Sequence, residues 1–280
     1  MSAPEAAVTA YAALDRLAER SGAILSVWAG GVDGTAWLTR REHTVHHAAS
    51  TMKLPLAIAA LRAVEAGRLA LDSMVEVRAT FASVVDGSFV TTQDYDNDDE
   101  PWSRLGEQVS LWWLVERSII RSSNLATNLL IDAVGIDAVN DVYARCGVTD
   151  SRLRRGIQDS AAGAAGLYNT ATAADLAAVL RTALGGRLLS QESSRRLERV
   201  LAANEWRDGL PAGLPAGTYV AHKSGWIEEC CHDVGLVRPV TGSPFVLSIF
   251  TTTTLDEEQA HATVAEAARI VWAHHDAARS

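Results

Sequence analysis

Apolar residues recur at helical spacing where the chain opens. Val8, Tyr11, Leu14 and Leu17 mark one face of an amphipathic helix over residues 1–20. Two strand-like runs follow, at 23–29 and 35–39. Gly30-Gly31-Val32-Asp33-Gly34 joins them with the composition of a hairpin turn. From Ser50 the pattern turns helical and holds to about residue 66, where Gly67 is placed to cap it. Pro55 falls in the first turns of that helix, where a missing N–H costs least. The middle of the chain is rich in alanine and leucine and predicts helices over 111–120, 124–134, 137–146, 172–184 and 191–202. After Pro215 the character changes. Residues 219–226, 232–238 and 245–251 read as strands, with turns at Glu228-Glu229 and Thr241-Gly242-Ser243. A long helix closes the chain from Asp256, with Gln259 placed for a capping box.

Strands at both ends and helices between them predict one architecture, an α+β fold. A five-stranded antiparallel sheet forms from the two chain ends, with the terminal helices on one face. The expected division is a sheet part, residues 1–49 and 211–280, and an all-helical insertion over 50–210, with a cleft between them.

Composition narrows the class of molecule. The chain has 280 residues, of which 48% are hydrophobic, enough for a sizeable core. A formal net charge of −9 argues against nucleic acid or an anionic membrane as partner. The three cysteines, Cys146, Cys230 and Cys231, do not make a disulfide framework. No basic stretch leads into an apolar run at the start, so the sequence as written reads as cytoplasmic, a trimmed export leader being the alternative.

Charge usage carries the strongest chemical clue. Lys53 and Lys223 are the only lysines among 25 basic side chains; arginine serves everywhere else. Arginine stays protonated, whereas a desolvated lysine can lose its proton. Both lysines lie in short motifs, Ser50-Thr51-Met52-Lys53 and Lys223-Ser224-Gly225. The first puts a hydroxyl and an amine one helical turn apart, the spacing of a nucleophile and its base. If Ser50 opens its helix, its own N–H can donate to a developing oxyanion. The second lies in an expected strand, where Gly225 would let a substrate backbone approach closely. Between them, Arg121-Ser122-Ser123-Asn124 sits at a helix junction. Ser123 suits an N-cap there, and Ser122 and Asn124 can project into one cleft.

Ser-x-x-Lys, Ser-x-Asn and Lys-Ser-Gly, in that order, resemble the signature of class A β-lactamases and penicillin-binding proteins. The expected architecture is similar to theirs over nearly the whole chain. Asn169-Thr170-Ala171-Thr172-Ala173-Ala174-Asp175-Leu176 looks like the close of that family's omega loop, and His232-Asp233-Val234-Gly235 like its next strand. The resemblance implies a serine hydrolase working through an acyl-enzyme. It implies Ser50 as nucleophile, Lys53 as general base and Ser122 as proton shuttle to the leaving nitrogen. Asn124 would bind a substrate amide, and Lys223 and Ser224 a carboxylate. The N–H groups of Ser50 and Trp226 would form the oxyanion hole. A β-lactam, peptide or ester is the implied small-molecule substrate, with no cofactor and no metal.

One part of the family pattern is missing. Class A enzymes carry Glu-x-x-Leu-Asn in the omega loop, and its glutamate activates the deacylating water. Residues 153–160 here contain no glutamate, and Asp159 is the only carboxylate. It has two readings, a holder of that water or a brace of the loop. Asn169 stands where the family commonly has an aspartate, so a loop anchor through an ion pair with Arg155 is not expected. Acylation should survive, and release of a β-lactam acyl group should be slow.

Other signals lead elsewhere. Asp94-Tyr95-Asp96-Asn97-Asp98-Asp99-Glu100 alternates carboxylates like a calcium loop but lacks its glycine, and reads as a solvated acidic loop. His43, His46 and His47 show no metal-ligand spacing.

Overall fold

The computed structural model describes the backbone of residues 3–277 and the side chains of residues 9–275. Strands β1 (Ile24–Gly31), β2 (Ala36–Arg40), β3 (Tyr219–Ile227), β4 (Cys230–Arg238) and β5 (Phe245–Thr252) form one sheet in the order β2-β1-β5-β4-β3. Every neighbouring pair is antiparallel. The N-terminal hairpin enters beside the last strand, with Ile24 opposite Thr252 and Gly31 opposite Phe245. That leaves β3 as an edge strand facing the insertion, as the two-ended sheet required.

Helices α1 (Ala3–Ser21) and α8 (Glu257–Ala277) cover one face of the sheet. Leu14 and Leu17 bury there with Leu25, Val27, Phe245, Val264 and Val271, while Tyr11 stays exposed. Val8 lies outside the residues whose side chains are described. The other face carries the insertion: α2 (Lys53–Glu65), α3 (Leu111–Ile120), α4 (Asn124–Val134), α5 (Ile136–Arg145), α6 (Ala173–Leu184) and α7 (Gln191–Ala202). Helix α2 is its axis. It is buried on nearly every side from Lys53 to Leu61, so its sequence is apolar all round rather than striped. No helix among the described residues is long and apolar enough to cross a membrane.

Three helix starts fall where the pattern placed them because a serine closes each one. Ser110, Ser123 and Ser190 accept hydrogen bonds from the N–H groups of Trp113, Ala126 and Ser193. Two expectations need correction. The insertion is not all-helical: Met74–Glu76 pairs with Gln108–Ser110, Thr80–Ala82 with Ser88–Val90, and His46–His47 with Thr170–Ala171. Pieces of two or three residues are too short to show alternation. The helix expected from Ser50 opens as a 3₁₀ turn over Ala49–Met52 and becomes α-helical only at Lys53.

Candidate active site

Lys53 is fully buried at the start of α2. Its Nζ donates to the carbonyl oxygen of Ser122 at 2.7 Å, to Ser122 Oγ at 3.1 Å and to Asn124 Oδ1 at 2.8 Å. An ammonium has three donors, and all three are matched. Burial drives its pKa well below the usual lysine range, and the charge of Lys223 pushes the same way. The carboxylate of Asp96 opposes them. As a neutral amine, Lys53 can keep the bonds to the Ser122 carbonyl and Asn124 and accept the Ser122 hydroxyl proton on its lone pair. Ser122 is therefore the partner that reverses direction when Lys53 changes protonation. It holds a left-handed backbone, φ 59°, from which both its carbonyl and its hydroxyl reach Lys53.

Ser50 is half-buried in the 3₁₀ turn, one turn ahead of Lys53, and its hydroxyl makes no hydrogen bond among the described residues. The turn starts from a strained position, with Ala49 at φ 43°. Strand β3 presses against it. A β-carbon on Gly225 would stand 2.8 Å from Ser50 N, 3.0 Å from Thr51 N and 3.2 Å from the Ala49 Cβ. Gly225 is therefore needed for the strand to meet the serine turn. Its first role is thus the fit of two backbones, ahead of the substrate's approach expected from its place in a strand.

Lys223 is also fully buried, and its Nζ donates to the carbonyl of Ser224 at 2.6 Å. Burial lowers its pKa to about 7 against the opposing pull of Asp233. Ser224 is buried, with a hydroxyl that makes no internal bond among the described residues. Trp226 is half-buried and packs against the core beneath α1 and α8, so what it can offer the site is its backbone. Behind Lys223, His222 Nδ1 meets Asp233 Oδ1 at 2.9 Å, and Asp233 Oδ2 accepts the N–H of Leu210 at 2.9 Å. Gly235 makes room for this buried pair, since a β-carbon there would lie 2.7 Å from His222 Cβ.

The structure thus gathers Ser50, Lys53, Ser122, Asn124, Lys223 and Gly225 at one junction of β3, the serine turn and the start of α4. Asp159 is elsewhere. It is fully buried and accepts from Ser83 Oγ at 2.9 Å, Ala162 N at 3.1 Å and Val84 N at 3.2 Å. Of its two sequence readings the geometry is that of a brace, since its oxygens are spent on the loop and on residues 83–84. Asn169 anchors the same loop without an ion pair. Its Oδ1 accepts from Arg154 N and Arg155 N at 2.8 and 3.1 Å, and its Nδ2 donates to Arg155 O at 3.1 Å.

Two site residues escaped the sequence reading. Asp96, assigned there to a solvated loop, caps α4. It accepts from Asn124 N at 2.9 Å, Leu125 N at 2.8 Å, Trp102 Nε1 at 3.0 Å and Ser123 Oγ at 3.3 Å. Its neighbour's carbonyl, Tyr95 O, takes the Asn124 Nδ2 donor at 2.5 Å, which fixes the amide with Oδ1 toward Lys53. In the same acidic run, buried Asp98 pairs with Arg117. Asn128 is the other. It clamps Ile157, accepting its N–H at 2.8 Å and donating to its carbonyl at 2.9 Å. Their backbone partners lie 28 or 29 positions away along the chain. Among the described residues no group of His, Cys, Asp and Glu is arranged to hold a metal.

Known proteins match this chain along nearly its whole length. The model of the beta-lactamase enzyme family matches residues 9–275. A beta-lactamase of Rhodobacter capsulatus is 30% identical over 229 residues, covering 78% of this chain and 71% of that protein. Among solved structures, a beta-lactamase from Sphaerobacter thermophilus superposes with a TM-score of 0.80 at 29% identity, covering 94% of this chain and 95% of the other. PBP-A shares the fold, with a TM-score of 0.79 at 22% identity over 95% and 96% of the two chains. By fold and by these matches, the chain belongs to the beta-lactamase enzyme family and is a serine hydrolase of class A type.

Proposed function

We propose that Ser50 carries the acyl group, that Lys53 and Ser122 move the protons of acylation, and that β-lactam acyl-enzymes of this protein are released slowly. The observation that carries the reading is the buried amine of Lys53, held between Ser122 and Asn124 and discouraged from protonation by burial and Lys223. A neutral Lys53 turns its lone pair from the Ser122 hydroxyl to Ser50 and takes the Ser50 hydroxyl proton as Ser50 Oγ bonds the substrate carbonyl carbon. The carbonyl oxygen becomes an oxyanion facing the N–H groups of Ser50 and Trp226. The carbon–nitrogen bond then breaks, the nitrogen takes the Ser122 hydroxyl proton, and Lys53 returns its proton to Ser122. Lys223 and Ser224 receive a substrate carboxylate, and Asn124 an amide. With an ester, the leaving oxygen takes the proton instead.

Slow release is supported by the spent oxygens of Asp159 and by the lack of any other carboxylate in residues 153–160. Peptides and esters belong to the same reading, because acylation makes no demand on that loop. Intact-mass spectrometry after mixing with a chromogenic cephalosporin tests it. The expected result is an adduct on Ser50 that outlasts colour development and is absent from Ser50→Ala and Lys53→Ala. An adduct that forms at the wild-type rate in Lys53→Ala would refute the role given to the amine.

A further inference from the structure

The turn that presents Ser50 is strained, and a side chain outside the three motifs holds it. Ala49 is left-handed, a conformation that costs an L-residue on the order of 1 kcal/mol. Its N–H donates to His47 Nδ1 at 3.1 Å, closing a loop from a side chain to the amide two residues on. Asparagine and aspartate make the same closure in Asx-turns; here an imidazole does it. The next amide along is that of Ser50.

Because Nδ1 accepts, the ring is neutral, with its proton on Nε2. A second proton on Nδ1 would set donor against donor. The backbone of His47 is independently fixed. It pairs with Thr170, and its carbonyl accepts His232 Nε2 at 2.7 Å and the Cys230 thiol at 3.7 Å. Only the ring's bond to Ala49 is therefore sensitive to a proton. The groups facing the ring are few. Tyr168 lies edge-on, with ring centroids 6.4 Å apart, Arg155 approaches from the loop and Glu229 from the β3–β4 turn. His232 is neutral in its own right, since its Nδ1 accepts from Thr251 N at 3.1 Å.

We propose that His47 is a positioning residue for acylation: its neutral ring holds the Ala49 turn, and through it the amide and hydroxyl of Ser50, and it lets go on gaining a second proton. Burial and then Arg155 push the ring's pKa below 6.5, with Glu229 pulling back, so the hold persists at neutral pH and fails in acid.

The kinetic consequence rests on the acyl-enzyme reading; the structural one does not. The test compares the full chain with His47→Ala and His47→Asn, using a chromogenic cephalosporin. His47→Ala is expected to acylate about tenfold more slowly near neutral pH, the size of one lost hydrogen bond. His47→Asn restores an acceptor that cannot titrate. It is expected to recover most of that rate and to lose the extra fall the wild type shows in acid, on the low side of the ordinary histidine range. Identical rates and pH profiles in all three proteins would overturn the proposal. If none is acylated at any pH, the acyl-enzyme reading has failed, and protection of the Ala49 amide against hydrogen exchange decides instead. Protection that drops on acidification in the wild type but not in His47→Asn supports the proposal; equal protection in all three overturns it.

Discussion

The amide nitrogen of Ser50 lies where a β-carbon on residue 225 would come within 2.8 Å of it. Real Cβ contacts do not reach that distance, so Gly225→Ala must push β3 and the serine turn apart. Both elements are backbone at the contact, and neither can swing away as a side chain could. A displacement of about 1 Å at a reacting centre can cost on the order of a hundredfold in rate. Gly225→Ala is therefore expected to lower the acylation rate by about that factor while leaving the far-ultraviolet circular dichroism unchanged. Burst kinetics with a chromogenic β-lactam measure it.

The two lysines predict opposite limbs of one pH profile. Lys53 must be neutral to accept a proton, so acylation falls as pH drops through its lowered pKa. Lys223 must be charged to hold a carboxylate, and its pKa in the free protein is about 7. Affinity for a carboxylate-bearing β-lactam is therefore expected to fall as pH rises above about 7, whereas a neutral ester keeps its rate. Stability moves the other way. The unfolded state protonates Lys223 up to the ordinary lysine range while the folded state does not, so the unfolded state binds more protons between about 7 and 10.5. Stability should then rise with pH across that window, and rise less in Lys223→Met. Denaturant melts at several pH values, beside kcat/KM for the two substrates, check both signs.

Asp159 separates a chemical from a mechanical role. If it braces the loop, Ser83→Ala, which removes one of its partners and no carboxylate, should change deacylation in the same direction as Asp159→Asn. Each should also lower stability by about 1–3 kcal/mol through unmatched buried polar groups. Thermal melts and the decay of the acyl-enzyme mass measure the two effects. A deacylation loss confined to Asp159→Asn, with no change in stability, would return the residue to a role in water activation.

Asp96 touches the site from outside every motif. Asp96→Ala removes the acceptor of four donors at the start of α4 and a negative charge that favours protonation of Lys53. Melting temperature should fall by several degrees, since about 1–2 kcal/mol of capping is lost. The acid limb of acylation should shift to lower pH, because the neutral amine of Lys53 becomes easier to form. Asp96→Asn keeps an acceptor and loses the charge, so the shift of the limb should survive in it while most of the melting temperature returns.

Much of the fold was legible because its signals are local. Helical spacing placed the starts of α3, α4 and α7 within the sequence itself, and a serine caps each of them. The short turn-bounded runs of β3, β4 and β5, and the apolar continuity of α2, needed no distant partner. The strand pairs at 74–76 with 108–110 and at 80–82 with 88–90 were missed because three residues show no period. Asp96 was misread for a different reason. A carboxylate in an acidic run looks solvated until the start of a helix 28 positions away supplies its donors.

By itself the sequence determined which groups were candidates for the chemistry: two lysines kept where arginine was the rule, a serine one turn before one of them, and a serine and asparagine at a helix start. Spacing along a chain carries that information, because a helical turn or a strand face converts it directly into proximity. Tertiary structure alone decided their states and supports. Burial made Lys53 and Lys223 weak bases, the approach of β3 made Gly225 obligatory, and packing of the loop turned Asp159 inward. Desolvation and close contact depend on what else occupies the surrounding space, and that is a property of the folded chain rather than of any segment of it.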